Sequence, residues 1–138
     1  MSKLTPGEES VSWQELTADI RGKGLPGHQL YLVLSEATNG PAAVLANREP
    51  HLAYQMRLES EGVLFVAGPL AGEDGQSWDG SGAFVYRAPS LERAREIAGA
   101  DPMHVAGARR FRIMPWLVNE GSVSVRLFFS GAAPRLVP

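Results

Sequence analysis

The segment 83–101, AFVYRAPSLERAREIAGAD, places a strand, a turn and a capped helix in immediate succession. Ala83 to Arg87 is a run of residues that favour β-structure. Ser90 suits a helix N-cap, and an apolar stripe at helical spacing follows it, formed by Leu91, Ala94, Ile97 and Ala98. The segment therefore predicts a strand followed by an amphipathic helix that ends near Gly99 and packs on a sheet.

Strand and helix signals alternate on both sides of this segment. Strands are predicted at Gln29 to Glu36 and at Val63 to Ala67, with a helix from about Arg48 to Gly62 between them. Phe111 to Val118 is a further strand, in which Pro115 favours an edge position. The order β-α-β-β-α-β predicts an α+β, ferredoxin-like domain with two helices on one face of a mainly antiparallel sheet.

Residues 28–118 form the predicted domain, and the segments on either side are extensions. Residues 1–27 are predicted to be an arm with one short helix, which has capping-box spacing at its start and ends at Gly22. Residues 119–138 hold a C-terminal strand, Val123 to Phe129, with the alternation of a half-buried strand. We expect that strand to close a sheet edge or to extend a dimer interface.

The composition excludes several classes of function. A chain of 138 residues with 44% hydrophobic residues can build one sizeable core. A net charge of −2 disfavours nucleic acid as a partner, and the absence of cysteine excludes thiolate catalysis and Cys-ligated zinc. Since residues 1–10 are polar and no apolar run approaches the roughly 20 residues that span a bilayer, we expect a cytoplasmic protein with no membrane partner.

The sequence contains none of the common motifs for binding a nucleotide or a metal. It has no P-loop, no G-x-G-x-x-G fingerprint, no G-x-S-x-G elbow and no H-E-x-x-H. Glu73, Asp74 and Asp79 lack the spacing of a calcium loop. We therefore expect neither a metal nor a cofactor.

Among the three histidines, His51 is the strongest candidate for chemistry. It lies in the first turn of a predicted helix, where the positive end of the dipole favours the neutral imidazole that can accept a proton. Arg48, three residues earlier, shares its helix face and could hold an anionic or carbonyl oxygen beside the base. The same pattern also allows a packing role for His51 beside Tyr54 and Leu58.

Asp101 is the candidate partner for this imidazole. It precedes Pro102, so an N-cap with proline at the first helical position already explains it. Its second carboxylate oxygen could nevertheless orient an imidazole and stabilise the protonated form. His104, in the same turn, is a weaker candidate, and His28 is expected to be an exposed loop residue.

Two further groups of polar residues have simpler interpretations. Ser81 could lend a hydroxyl to a substrate, although a turn serine is the better explanation. The arginines at 109, 110 and 112 are typical of a solvated face at the entry to a strand, and one of them could steer an anionic ligand.

Five short motifs occur in the order and spacing of the YciI-like (YCII-related) family: Arg48-x-x-His51-Leu52, Glu61-Gly62, Ala67-Gly68-Pro69-Leu70, Ala100-Asp101-Pro102 and Pro115-Trp116. Over about residues 29–118 the chain resembles this family, which is similar in fold to muconolactone isomerases and other dimeric α/β-barrel proteins. The resemblance implies protomers that pair through their sheets and an active site built on His51 and Asp101. The candidate substrate-binding residues are Arg48, Gly68, Pro69, Ser81 and Trp116.

The resemblance also implies a reaction class, because a relative in the family is a dehydrochlorinase that acts on a chlorinated hydroxyhydroquinone. The expectation is a cofactor-independent lyase or isomerase acting on a small cyclic or aromatic oxygenated compound, with His51 as general base and then acid. The alternative is a non-catalytic domain that binds a small molecule or assembles with a partner through the same dimeric cleft. In both cases a homodimer is expected.

Overall fold

The computed structural model describes residues 4, 7 and 9–138, which divide into two compact units. The larger unit is His28–Leu117, and the smaller one combines the described residues up to Gly27 with Val118–Pro138. No helix in this described part of the chain has the length and apolar content needed to cross a bilayer.

The larger unit contains the predicted ferredoxin-like arrangement. Helix α1 (Trp13–Gly22) belongs to the smaller unit. The elements that follow it in chain order are β1 (His28–Ala37), α2 (Pro41–Ala46), α3 (Arg48–Ser60), β2 (Leu64–Pro69), β3 (Gly82–Tyr86), α4 (Leu91–Gly99), α5 (Pro102–Val105) and β4 (Arg109–Val118). The strands form one sheet in the order β2-β3-β1-β4. This order confirms the predicted fold and places β4, with Pro115, at an edge.

Strand alternation decides which side chains the helices cover. In the antiparallel pair of β1 and β3, Tyr31 lies opposite Tyr86 and Val33 lies opposite Phe84. These four side chains are buried against residues of α3 and α4, among them Leu58 and, on α4, Ala94, Ile97 and Ala98. The apolar stripe that follows Ser90 therefore packs on the sheet, and the Ser90 side chain accepts a hydrogen bond from Arg93 N as its cap.

The helix α2 was not predicted. The segment from Thr38 to Pro41, which follows β1, contains the glycine and proline typical of a break in the chain. Gly40 has a φ of 74°, and Pro41 occupies the first helical position, so this break is also a helix start. Val44 of α2 packs with Met103 and Ala108 in a second small cluster. Two strands are also longer than predicted, since β2 continues through Pro69 and β4 begins at Arg109.

The smaller unit corrects the prediction for the C-terminus. Helix α1 begins after Ser12, which caps it, and ends at Gly22 as predicted. The C-terminal strand exists, but it is only Ser124–Arg126 (β5), it is exposed, and it pairs with a second short strand, Arg135–Val137 (β6). The prediction of a half-buried strand over Val123 to Phe129 is therefore wrong. Alternation of apolar and polar residues also arises in a two-stranded hairpin that covers no core.

Candidate active site

His51 and Asp101 meet in the larger unit although 50 residues separate them. His51 Nδ1 lies 2.8 Å from Oδ1 and 2.9 Å from Oδ2 of Asp101. A carboxylate only accepts hydrogen bonds, so this contact places the proton on Nδ1 and leaves the lone pair on Nε2. A neutral imidazole with its proton on Nδ1 has the geometry that proton transfer through Nε2 would need.

The position of each partner follows from the start of a helix. His51 lies in the first turn of α3, and Asp101 is the N-cap of α5, where its Oδ1 accepts a hydrogen bond from Met103 N at 2.9 Å. Gln55, one turn after His51, donates from Nε2 to Asp101 Oδ2 at 3.1 Å. The carboxylate is therefore fixed by three donors, and it is completely buried, whereas the imidazole keeps an exposed fraction of 10%.

A cavity of about 800 Å³ lies against this pair. His51 forms part of its wall, together with Arg48, Gly68 and Pro69. The remaining wall is largely apolar, and its larger side chains include Leu52, Met56, Phe65, Trp78, Phe84 and Met103. Phe84 also packs against the imidazole, with 5.6 Å between the ring centroids.

A β-bulge shapes one wall of the cavity. The register between β2 and β3 shifts between Leu64 and Val66, which leaves Phe65 as the extra residue. Phe65 lines the cavity, and the guanidinium of Arg87 lies 4.8 Å above its ring. Bulges of this kind re-aim a side chain without ending the strand.

Two of the candidate substrate-binding residues are not part of the cavity wall. Ser81 anchors the end of the β2–β3 loop: its Oγ accepts from Ala37 N at 3.0 Å and its carbonyl accepts from Trp78 Nε1 at 2.7 Å. Trp116 is 47% exposed on β4. It lies on the opposite face of the strand from Ile113, which packs against the core beneath the helices. The structure thus groups Arg48, Gly68 and Pro69 with His51, and it places Ser81 and Trp116 elsewhere.

His104 has a structural environment. Its Nδ1 lies 2.6 Å from the carbonyl oxygen of Ala98 and its Nε2 lies 2.7 Å from Ser35 Oγ. Because a carbonyl can only accept, Nδ1 carries the proton and Nε2 accepts from the serine hydroxyl. Burial lowers the pKa of His104, so the ring is held in its neutral form.

Two residues at the site were not singled out by the sequence analysis. Gln55 could have been found, since it lies four residues after His51 and so shares its face of the helix. Arg109 was expected in a solvated cluster of three arginines, one of which could steer an anionic ligand; it is instead 5% exposed and lines the cavity. Its burial depends on the loop that covers it, and no local pattern signals that contact.

Metal ligands are not grouped anywhere in residues 4, 7 and 9–138, where no three His, Cys, Asp or Glu side chains come together. The ionisable groups at this site are the His51 imidazole, the Asp101 carboxylate behind it, the guanidinium groups of Arg48 and Arg109, and the Glu59 carboxylate, which also lines the cavity. Such a set can move a proton and hold an anionic oxygen.

The fold and this set of residues define a small α+β domain of the ferredoxin-like class with a histidine–aspartate pair at a cavity. The chain belongs to the YCII-related domain family, whose profile matches residues 29–117. It is 36% identical over 70 residues to the uncharacterized protein YjpA of Bacillus subtilis (strain 168), a match that spans 51% of this chain and 75% of that protein.

A solved structure with a similar fold is that of 5-chloro-2-hydroxyhydroquinone dehydrochlorinase (TftG) from Burkholderia phenoliruptrix AC1100, in complex with 2,5-dihydroxybenzoquinone. The TM-score is 0.51 at 22% sequence identity, and the alignment covers 63% of this chain and 92% of TftG. At 22% identity, this likeness shows a shared fold alone.

Proposed function

We propose that this protein is a cofactor-independent lyase or isomerase that acts on a small cyclic or aromatic compound carrying oxygen substituents. The observation that carries the proposal is the contact of His51 Nδ1 with both oxygens of Asp101, at 2.8 and 2.9 Å, in the wall of a cavity. A buried carboxylate that fixes one imidazole nitrogen leaves the other for the substrate.

In the proposed reaction, Nε2 of His51 removes a proton from carbon or oxygen of the bound compound. The imidazole becomes positively charged, and the Asp101 carboxylate stabilises that charge across the Nδ1 hydrogen bond. The negative charge left on the substrate is delocalised onto a ring oxygen, beside Arg48 at the cavity wall. His51 then returns the proton to another position, or to a leaving group, so no external acid is consumed.

The comparisons support the reaction class in a coarse sense. The structural neighbour TftG is named as a dehydrochlorinase, a lyase that acts on a hydroxylated ring, and its structure holds a dihydroxybenzoquinone. The largely apolar wall and volume of about 800 Å³ in the present chain suit a compound of that size and polarity. A positioned acid–base group accelerates proton transfer by about 10²- to 10⁴-fold, which suits activated protons.

The test is exchange of substrate protons in deuterated water, followed by NMR on catechol, quinone and lactone compounds. His51→Gln should lower the exchange rate by about 10²- to 10⁴-fold on any compound that reacts. His28→Gln is the matched control, because His28 is an exposed histidine at the start of β1 and should leave the rate unchanged. Equal rates in wild type and His51→Gln would overturn the catalytic role.

A second candidate function is a non-catalytic domain that binds a small molecule or assembles with a partner. The cavity favours it, because a largely apolar hollow of this size binds ligands whether or not a reaction follows. Thermal-shift measurements on the same compounds distinguish the two. Stabilisation by a ligand without proton exchange or turnover would favour the binding domain.

A further inference from the structure

Arg109 is a buried guanidinium in the wall of the cavity. It is the first residue of β4, and its exposed fraction is 5%. Its Nε donates a hydrogen bond to Gly80 O at 2.6 Å, and this is the one hydrogen bond that the side chain makes to the described residues. The two Nη groups keep four N–H donors that have no partner among those residues.

The position of this guanidinium is fixed by two glycines. Gly80 has a φ of 105°, and a Cβ there would lie 2.9 Å from Cγ2 of Val44. At Gly82 a Cβ would lie 3.4 Å from Nη1 of Arg109 and 3.0 Å from the carbonyl oxygen of Gly68. Only glycine leaves space at both positions, so the loop end closes tightly over the arginine.

The charge of Arg109 has no ion-pair partner among the described residues, whose salt bridges all involve other side chains. Burial lowers the pKa of Arg109, and the carboxylates of Asp101 and Asp79 counteract this effect at longer range. The group nevertheless stays protonated at neutral pH, because the ordinary value for arginine is so high. A buried cation without a partner costs free energy that a bound anion would offset.

The surroundings indicate what kind of anion would fit. Apart from Arg48, His51, Gln55 and the exposed carboxylate of Glu59, the cavity wall is formed mainly by apolar and aromatic side chains such as Met56, Phe65 and Trp78, which suit a flat ring. The N–H groups of one guanidinium can donate two parallel hydrogen bonds to the two oxygens of a carboxylate, or to an enolate oxygen and the oxygen on the neighbouring ring carbon. Arg48, the other arginine of the wall, is exposed on α3, so water competes more strongly for its charge.

We propose that Arg109 is the specificity-determining residue of the cavity and selects planar, largely apolar compounds that carry an anionic oxygen, either a carboxylate or an ionised enol. The identification of this compound as the substrate rests on the proposed function; the binding preference does not. Arg109 holds the anionic oxygen, while the ring lies against the apolar wall within reach of His51.

The experiment measures binding by isothermal titration calorimetry with two matched pairs of probes: benzoate against benzamide, and 2,5-dihydroxybenzoquinone against its neutral dimethoxy ether. Wild-type protein should bind at least one anionic probe about tenfold or more tightly than its neutral match. Arg109→Gln should weaken that anion by about 10- to 100-fold and the neutral probe by less than about threefold.

Arg110→Gln is the control, because it removes the same charge from the next residue of β4, which is exposed. It should leave both affinities unchanged. If Arg109→Gln does not fold, Arg109→Lys replaces it in the test. Lysine keeps the charge but lacks the planar guanidinium, so this variant should bind the anion with an affinity below that of wild type. The comparison of the two probes on wild-type protein requires no variant at all.

Equal affinity for both members of each pair, absence of binding by both anions, or equal weakening of anion and neutral probe by Arg109→Gln would each overturn this proposal. Selective binding of the anion without proton exchange on any compound would leave it standing and would count against the proposed enzyme instead. Proton exchange without a preference for the anion would overturn the role of Arg109 and leave the proposed enzyme standing.

Discussion

Asp101 combines a cap, an anchor for Gln55 and a partner for His51 in a single buried carboxylate. Asp101→Asn should lower the free energy of unfolding by about 2 to 3 kcal/mol. The NH₂ group of asparagine would replace one carboxylate oxygen, so a donor of the protein would face another donor and lose its hydrogen bond. Asp74→Asn is the control, since Asp74 is exposed and, among the described residues, accepts a hydrogen bond from Gln76 N alone; it should stay within about 0.5 kcal/mol of wild type. Urea denaturation measures both.

If the two asparagine variants lose the same stability, the contacts of Asp101 do not contribute as the geometry indicates. The same Asp101 variant should also lose proton exchange by about 10²-fold or more, since asparagine no longer fixes the proton on Nδ1 of His51. A variant that unfolds less easily than expected but still fails to exchange protons would separate the two roles of the carboxylate.

His104 gives the fold a dependence on pH. Its pKa is lowered in the folded state by burial, so between that pKa and the ordinary value the unfolded chain binds more protons. Stability should therefore fall as pH decreases from about 7 through the ordinary histidine range, with a slope of at most about 1.4 kcal/mol per pH unit from this residue. The loss should stop below the folded-state pKa.

His104→Gln tests this sign, because glutamine can still bond to Ser35 or to the Ala98 carbonyl but does not titrate. Urea denaturation between about pH 7.5 and pH 5.5 should show a smaller decrease for the variant than for wild type. His28→Gln serves as the exposed control and should follow the wild-type curve. A variant curve parallel to wild type would show that another group causes the decrease.

The residues of the site differ in how much of their role the sequence predicts. His51 and Asp101 can be found because helix starts have local signals, and both residues lie at such starts. Arg109 cannot be found in this way. It lies next to exposed Arg110 in a run of arginines, and its burial depends on Gly80, which is 29 residues away in the chain.

At the scale of the elements, the pairing of β2 with β3 depends on a close approach of two glycines. A Cβ at Gly82 would lie 3.0 Å from the backbone oxygen of Gly68, whereas a Cβ at Gly68 would meet nothing within 4 Å. Gly82→Ala should therefore cost about 1 to 3 kcal/mol, since backbone must move. Gly68→Ala should cost nothing, because alanine loses less entropy in a strand.

Thermal or urea denaturation of the two alanine variants provides this comparison. Gly82→Ala should in addition weaken the binding of an anionic probe, because its methyl group would lie against Nη1 of Arg109. Equal stability of the two variants would mean that the strands adjust to the added methyl group, and that the close approach is not a constraint on the sheet.

The elements that the sequence predicts well are those that pack on the sheet. The helix after Ser90 has a complete periodic pattern because one of its faces is buried, and strand β1 is marked by a continuous run of residues that favour β-structure. The short helix α2 has only six residues, too few for a pattern, and only Pro41 marks its start. The hairpin of β5 and β6 has the alternation of a buried strand without the burial, so periodicity alone misassigns it.

In the larger unit as a whole, the second face of the sheet is buried at Leu30 and Val85 on the central strands and exposed on the edge strand β4. On β4, Phe111 and Ile113 pack toward the helices, and Met114 and Trp116 lie on the other side with exposed fractions of 36% and 47%. Exposed apolar side chains on a sheet face favour association with another surface. A second copy of the chain is the partner that symmetry makes simplest.

We therefore expect a homodimer whose two sheets face each other. Light scattering at micromolar concentration should give twice the mass of the chain, and Met114→Glu should shift it to the monomer, because a charge at that interface would be buried without a partner. Leu136→Glu introduces the same charge on the exposed β6 and should leave the mass unchanged. If Leu136→Glu dissociates the dimer and Met114→Glu does not, the hairpin forms the interface; a monomeric wild type would contradict both arrangements and would leave the sheet face to another partner.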